Sequence, residues 1–364
     1  MRHFLTRLSL VFLPLSGAAV AQESPIQLNI KQDAPKSYIV EKGDTLWDIS
    51  GMYLDSPWLW PRLWQVNPDI DNPHLIYPGD KLSLVWRNGQ PVLSVKPIVK
   101  LSPKIRVRDK KAVPTVSEGL VLPYLQSDRL VTQADIESAQ RVLGTSDGRK
   151  FLTAQDRLFI SGQQQHPKWG IYRAVATYQR TQPATSIVSL RLVATAKLSA
   201  VDESFSSLKI ESQLQEILIN DVVLPELALD KSTLTTTFYP SPTKMGQSAN
   251  IVGSLEGAKF SAKNQVVVID RGTDDDLRQG SMFSLRESGA VVYGQQGDYS
   301  YGSNALGNKV QLPNTEIGNL MVIRPYQHFS LALVTQSSQP ISSDTLAVSP
   351  LSMVLNHSAQ DIEP

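Results

Sequence analysis

The chain has 364 residues, no cysteine, and 35 Lys or Arg against 34 Asp or Glu, for a formal charge of +1. That balance excludes a globally basic surface for nucleic acid or charged membranes, and the missing thiols exclude disulfides, a lipidated cysteine and cysteine-nucleophile catalysis. The length predicts two or three domains with enough buried core to need no covalent staples.

Arg2 and Arg7 precede an apolar core over residues 8–15 and 18–20, and Ala19-Val20-Ala21 has the small-x-small pattern that signal peptidases cut. Residues 1–21 are expected to be a signal peptide, so the protein should be exported. The apolar core is shorter than the ~20 residues of a spanning helix, and no later run approaches that length, so no transmembrane segment is expected in the mature chain.

Next comes the stretch Tyr-Ile-Val-Glu-Lys-Gly-Asp-Thr-Leu-Trp-Asp-Ile-Ser at 38–50. Residues 38–41 suffice for one strand, Gly43 supplies a permissive turn, and Asp44 or Thr45 can cap a helix, with Asp48 closing a capping box onto Thr45. Leu46, Ile49 and Tyr53 then share a helical face. A second helix follows Pro57, with Leu59, Leu63 and Val66 at i, i+4, i+7, and stops before Pro68. Pro78-Gly79 makes a turn into a closing strand over 81–85. The order is strand, helix, helix, strand, and the short strands must pair antiparallel. Five of the six tryptophans lie between 47 and 86; Trp58, Trp60 and Trp64 read as core or interface filling.

Residues 87–117 read as a basic linker. Arg87, Lys96, Lys100, Lys104, Arg106, Arg108, Lys110 and Lys111 stand against the single Asp109, and Pro91, Pro97 and Pro103 break any helix. Fully extended, about 27 such residues would reach at most ~90 Å and hold the two ends apart. Residues 118–231 form a β-rich middle domain, with alternating runs at 156–160, 187–198, 207–210 and 216–224 and one helix over 134–143. A Thr-, Ser- and Pro-rich linker at 232–249 leads to a small antiparallel β domain over 250–350, and residues 351–364 form a tail. In this last domain Phe329, Leu331 and Leu333 fall on one strand face, and Ser330, Ala332 and Val334 on the other. The run Asp274-Asp275-Asp276 reads as a solvated turn, since it lacks the alternating spacing of a calcium loop.

The motif Y-x-V-x-x-G-D-T-L-W-x-I, the Asn-Pro after the second helix, and Leu-Ile-Tyr-Pro-Gly-Asp-Lys-Leu at 75–82 resemble the LysM domain, a βααβ module that binds N-acetylglucosamine polymers, including peptidoglycan. The resemblance covers residues 37–86. It implies a shallow sugar groove lined by Gly43, Asp44, Thr45 and Leu46 on one side and Leu75, Ile76, Tyr77 and Pro78 on the other. Such a sugar offers an amide, hydroxyls and an apolar ring face, which suit short polar side chains beside apolar surface. Leu46, Ile49 and Leu63 also carry helical core spacing.

Further along, Val-Val-Val-Ile-Asp-Arg-Gly-Thr at 266–273 and the run over 317–348 are similar to the C-terminal SH3-like domain of the flagellar T-ring assembly protein. Relatives tend to have Gly where this chain has Asp276. A LysM module followed by such a domain resembles the LysM proteins associated with type IV pilus secretins. The segments at 155–162 and 214–225 also look familial, with no chemistry attached.

The rival reading is a cell-wall hydrolase carried by the LysM module. Zinc peptidases need clustered histidines, yet His74, His166, His328 and His357 are far apart in sequence. The Glu-Ser pairs at 137–138 and 211–212 lack the helical surroundings of a lytic transglycosylase, and no G-x-S-x-G, phosphate-binding loop or dinucleotide fingerprint is present. The expectation is a mainly β protein with a small α+β N-terminal module and an SH3-like C-terminal barrel. No catalytic residue, metal or cofactor is expected. Functionally it reads as a periplasmic, wall- or outer-membrane-associated anchor with peptidoglycan and an outer-membrane secretin as partners; alternatives are a wall hydrolase of unrecognised type and a flagellar basal-body ring component.

Overall fold

The computed structural model describes residues 28–65, 76–96, 113–126, 129–149, 152, 157–226, 235–236, 238–301 and 308–353. The signal-peptide expectation and most of the basic linker lie outside them.

The N-terminal module is built from β1 (Ser37–Ile39), α1 (Leu46–Tyr53), α2 (Trp60–Gln65), β2 (Lys81–Arg87) and β3 (Gln90–Lys96). β1 and β2 pair antiparallel, as two helices covering one face require. Thr45 is the N-cap of α1: its hydroxyl accepts from the Asp48 N–H at 3.0 Å and donates to the Asp48 carboxylate at 2.6 Å. The expected reciprocity is present, but it runs through the hydroxyl. A single 3₁₀ turn at Pro57–Leu59 feeds α2. β3 occupies ground read as linker: Asn88 and Gly89, at φ 50° and 77°, make the two-residue hairpin that joins it to β2.

The middle body contains α3 (Glu118–Gln126), β4 (Arg129–Val131), α4 (Gln133–Ser138), β5 (Gln140–Gly144), β6 (Arg157–Ser161), β7 (Lys168–Thr181), β8 (Ala184–Val201), β9 (Phe205–Gln213) and β10 (Val222–Pro225). Strand pairing runs β8-β7-β10-β5-β6-β9 and returns to β8, closing a ring of six strands, with β4 added at the far end of β8. The helix expected over 134–143 ends at Ser138, because Val142 is drawn into β5 opposite Ile160.

The third body contains β11 (Ser241–Pro242), β12 (Ser248–Ser254), β13 (Val266–Ile269), β14 (Ser281–Glu287), β15 (Val291–Gln295), β16 (Asp298–Ser300), β17 (Asn308–Gln311), β18 (Thr315–Pro325), β19 (Ser330–Ser337) and β20 (Leu346–Val348). The order β14-β18-β19-β13-β12-β20 closes through β14 and β20 into a six-stranded barrel, and β15 to β17 form a separate small sheet. Val267, Ile269, Phe283, Leu320, Ala332 and Val334 fill the barrel. The alternate residues Val266, Val268, Met282, Met321, Leu331 and Leu333 point outward, yet they too are buried. They share one continuous core with Leu46, Ile49 and Trp60 of the N-terminal module, with Val113, Val116 and Val121, and with Tyr178 of β7. Strands buried on both faces explain the unbroken apolar runs of β13 and β18.

The expectation of separated ends is therefore corrected. Trp60 stacks on Tyr239 with ring centroids 5.3 Å apart, so the N-terminal module packs against the chain that enters the third body. The acidic run is corrected too. Asp276 adopts the left-handed conformation (φ 62°) that glycine would supply, and Asp275, expected in a solvated turn, forms a bidentate pair with Arg180 of β7 at 2.6 and 2.8 Å.

Candidate functional site

The two loops named from the sequence do face each other across the module. The first turns at Gly43, which is exposed with φ +108° and has nothing within 4 Å of a built Cβ. Asp44 is half-buried, and one of its carboxylate oxygens accepts from the Tyr38 hydroxyl at 2.9 Å and the Glu41 N–H at 2.7 Å. Burial, then this hydrogen bond, pushes the Tyr38 hydroxyl up to about 12, so it remains a donor at neutral pH. The second loop turns at Pro78-Gly79, with Gly79 at φ +98°, and is closed by Asp80, whose carboxylate accepts from the Tyr77 N–H at 2.9 Å. Val40 ties this turn to β1 through Gly79 N–H to Val40 O at 2.7 Å and Val40 N–H to Asp80 O at 2.9 Å.

Within this frame the eight expected groove residues divide. Gly43 and Pro78 are exposed, and Asp44 and Tyr77 are half-buried at the rims. Thr45, expected at a rim, is only 3% exposed and is occupied in capping α1. The side chains of Leu46 and Ile76 are fully buried in the module core, so each offers the groove only its backbone. Leu75 lies outside the described residues.

Sequence reasoning missed that the space between the two loops holds a segment of the same chain. Residues 113–116 run between the two loops and bond to both. The Val113 N–H donates to Ile76 O at 2.9 Å on one rim, and on the other the Leu46 and Trp47 N–H groups donate to Pro114 O at 2.9 Å and Thr115 O at 3.1 Å. Leu46 and Trp47 open α1, so these are first-turn donors with no partner inside the helix. Thr115 is fully buried, and its hydroxyl donates to Phe238 O at 2.7 Å and accepts from Phe238 N–H at 3.1 Å, which pins the segment to the chain entering the third body.

The module also has an open flank. Trp86, 64% exposed, lines a cleft of about 810 Å³ with Asn29, Gln32, Asp33 and Asp55. Among the described residues no cluster of three or more His, Asp or Glu could hold a metal ion. No described helix is long and apolar enough to cross a membrane.

A strand-helix-helix-strand body with facing loops at Gly43 and Pro78 is the architecture of a LysM domain, and residues 38–85 match the family model described as LysM domain. That module type points to peptidoglycan as the ligand class. The chain is also 40% identical over 63 residues to the uncharacterized protein YqbP of Bacillus subtilis (strain 168). That match covers 15% of this chain and 29% of the relative's length.

Proposed function

We propose that this protein is a non-catalytic periplasmic anchor that binds peptidoglycan through its LysM domain and tethers an outer-membrane secretin ring, of the type IV pilus kind, to the cell wall. The observation that carries the reading is the match of residues 38–85 to the LysM domain model. An N-acetylated sugar is recognised by backbone groups and short polar side chains at its amide and hydroxyls, with apolar surface against the ring. The basic, apolar and small-x-small pattern at residues 1–21 supports export. The secretin rests on the succession of a LysM module and β bodies, which resembles the LysM proteins associated with such rings. A weak sugar site is enough in that setting, because copies arrayed around a ring act at high effective concentration.

The purified full chain is expected to co-sediment with insoluble peptidoglycan sacculi and to return to the supernatant once the glycan is digested. Full chain that stays soluble beside intact sacculi, with its fold verified by circular dichroism, and that stays so when Thr115→Val frees residues 113–116 from Phe238, would refute the wall-binding half. Gentle crosslinking in envelopes should recover an outer-membrane ring protein with the chain, and recovery of wall enzymes or flagellar components instead would refute the other half.

A further inference from the structure

We infer that residues 113–116 are a built-in competitor for the glycan groove, so that the packed protein is a closed state and glycan enters only when this strap leaves. The inference rests on the reading that a sugar polymer binds between the Gly43 and Pro78 loops. The strap takes the backbone groups that such a ligand would use. The Leu46 and Trp47 N–H groups are the unpaired donors at the start of α1, the natural partners of a ligand oxygen, and both are satisfied by Pro114 and Thr115 carbonyls. The Ile76 carbonyl on the opposite rim is taken by the Val113 N–H. One N–H cannot make a full-strength bond to two acceptors, and the buried Val113 and Thr115 fill the space between the rims.

Part of what holds the strap lies outside the LysM domain. Thr115 makes its two side-chain hydrogen bonds to the backbone of Phe238, and the neighbouring Tyr239 stacks on Trp60. The third body therefore takes part in keeping the groove closed. The apparent glycan affinity of the full chain is the intrinsic affinity reduced by the fraction of molecules with the strap released. Whatever loosens the Thr115–Phe238 contact raises that fraction.

The test uses the full chain and its Thr115→Val variant, which keeps the volume and removes both hydrogen bonds. Binding to peptidoglycan sacculi is measured by co-sedimentation, and amide hydrogen exchange is followed with and without a soluble N-acetylglucosamine hexamer. Thr115→Val should bind sacculi roughly tenfold more tightly than the parent, since two buried hydrogen bonds no longer favour the closed state. In the parent, saturating hexamer should strip protection from the Val113 amide while the Leu46 and Trp47 amides stay protected by the sugar. Hexamer that binds with Val113 still protected would overturn the inference alone. Loss of that binding in Trp86→Ala would then move the sugar to the open flank. If exchange shows the strap open in Thr115→Val and neither protein binds sacculi or hexamer, the peptidoglycan reading falls and the inference with it.

Discussion

Arg180 and Asp275 join the two barrels through a pair whose strength can be worked from its surroundings. The guanidinium meets the carboxylate in two parallel bonds of 2.6 and 2.8 Å, and the side chains are only 6% and 17% exposed. Arg180 also donates to the Gln182 carbonyl at 2.7 Å and the His328 carbonyl at 3.0 Å, while Asp275 accepts from the Gly272 N–H at 2.8 Å. Asp275→Ala strands a largely buried cation, which costs about 3–5 kcal/mol when nothing else faces it. Because two carbonyls still do, the lower end, about 3 kcal/mol, is expected. Arg180→Ala strands the carboxylate instead, with Arg271 3.8 Å away as its remaining cation, and should cost a similar amount. Removing both partners leaves no buried charge, so the double variant should lose less than the sum of the singles. A double-mutant cycle from urea denaturation should give a coupling of about 2–3 kcal/mol. The pair also carries a pH signature. Burial alone would raise the Asp275 carboxyl, but the Arg180 hydrogen bond, the Gly272 N–H and the nearby positive charges outweigh it and hold it below its ordinary value of 3.8. A folded value below the unfolded one means the stabilisation is complete above pH 3.8 and fades as pH falls through the folded value. The stability difference between parent and Asp275→Ala should therefore shrink in acid. A coupling under about 0.5 kcal/mol at neutral pH, or a difference that grows on acidification, would refute this reasoning.

Two further outcomes follow from the N-terminal module. Thr45→Ala should cost about 1 kcal/mol by removing the α1 cap, whereas Thr45→Arg should unfold the module, since the side chain is 3% exposed; circular dichroism and urea midpoints separate the two. Deleting residues 37–86 should leave a destabilised, aggregation-prone remainder, because it uncovers Val113, Val116 and Tyr239; a monodisperse product by gel filtration with unchanged β-barrel melting would show that the shared core adds little.

Local rules made the LysM module legible. The turn at Gly43, the cap at Thr45, the helical spacing of Leu46, Ile49 and Tyr53, and the Pro78-Gly79 turn each act within a few residues, and each appears where expected. β3 was also within reach, because Asn88-Gly89 is a hairpin signal that the surrounding basic charge obscured. β7 was hidden for another reason. It carries Arg173 and Arg180, whose carboxylate partners Asp221 and Asp275 lie 48 and 95 residues away, beyond the reach of any local pattern. The alternation over 329–334 correctly divided the two faces of β19. It could not tell that both faces are buried, since the partner of the outer face belongs to bodies far away in sequence.

The strap was the hardest element to see, and its physics shows why. Its partners are Leu46, Trp47, Ile76 and Phe238, the last 123 residues away, and no periodicity in four residues encodes such contacts. What the sequence does carry is a change of composition. After Lys110-Lys111 the six residues Ala112 to Ser117 are uncharged, so the basic run gives way to a segment whose composition permits burial. Pro114 suits its place for a backbone reason. Wedged between two loops, an ordinary residue would need an acceptor for its own N–H, but proline has none to satisfy, and its carbonyl remains free to take the Leu46 N–H. Pro114 thus lies between the two loops with no N–H of its own to satisfy, while its carbonyl takes a first-turn donor of α1.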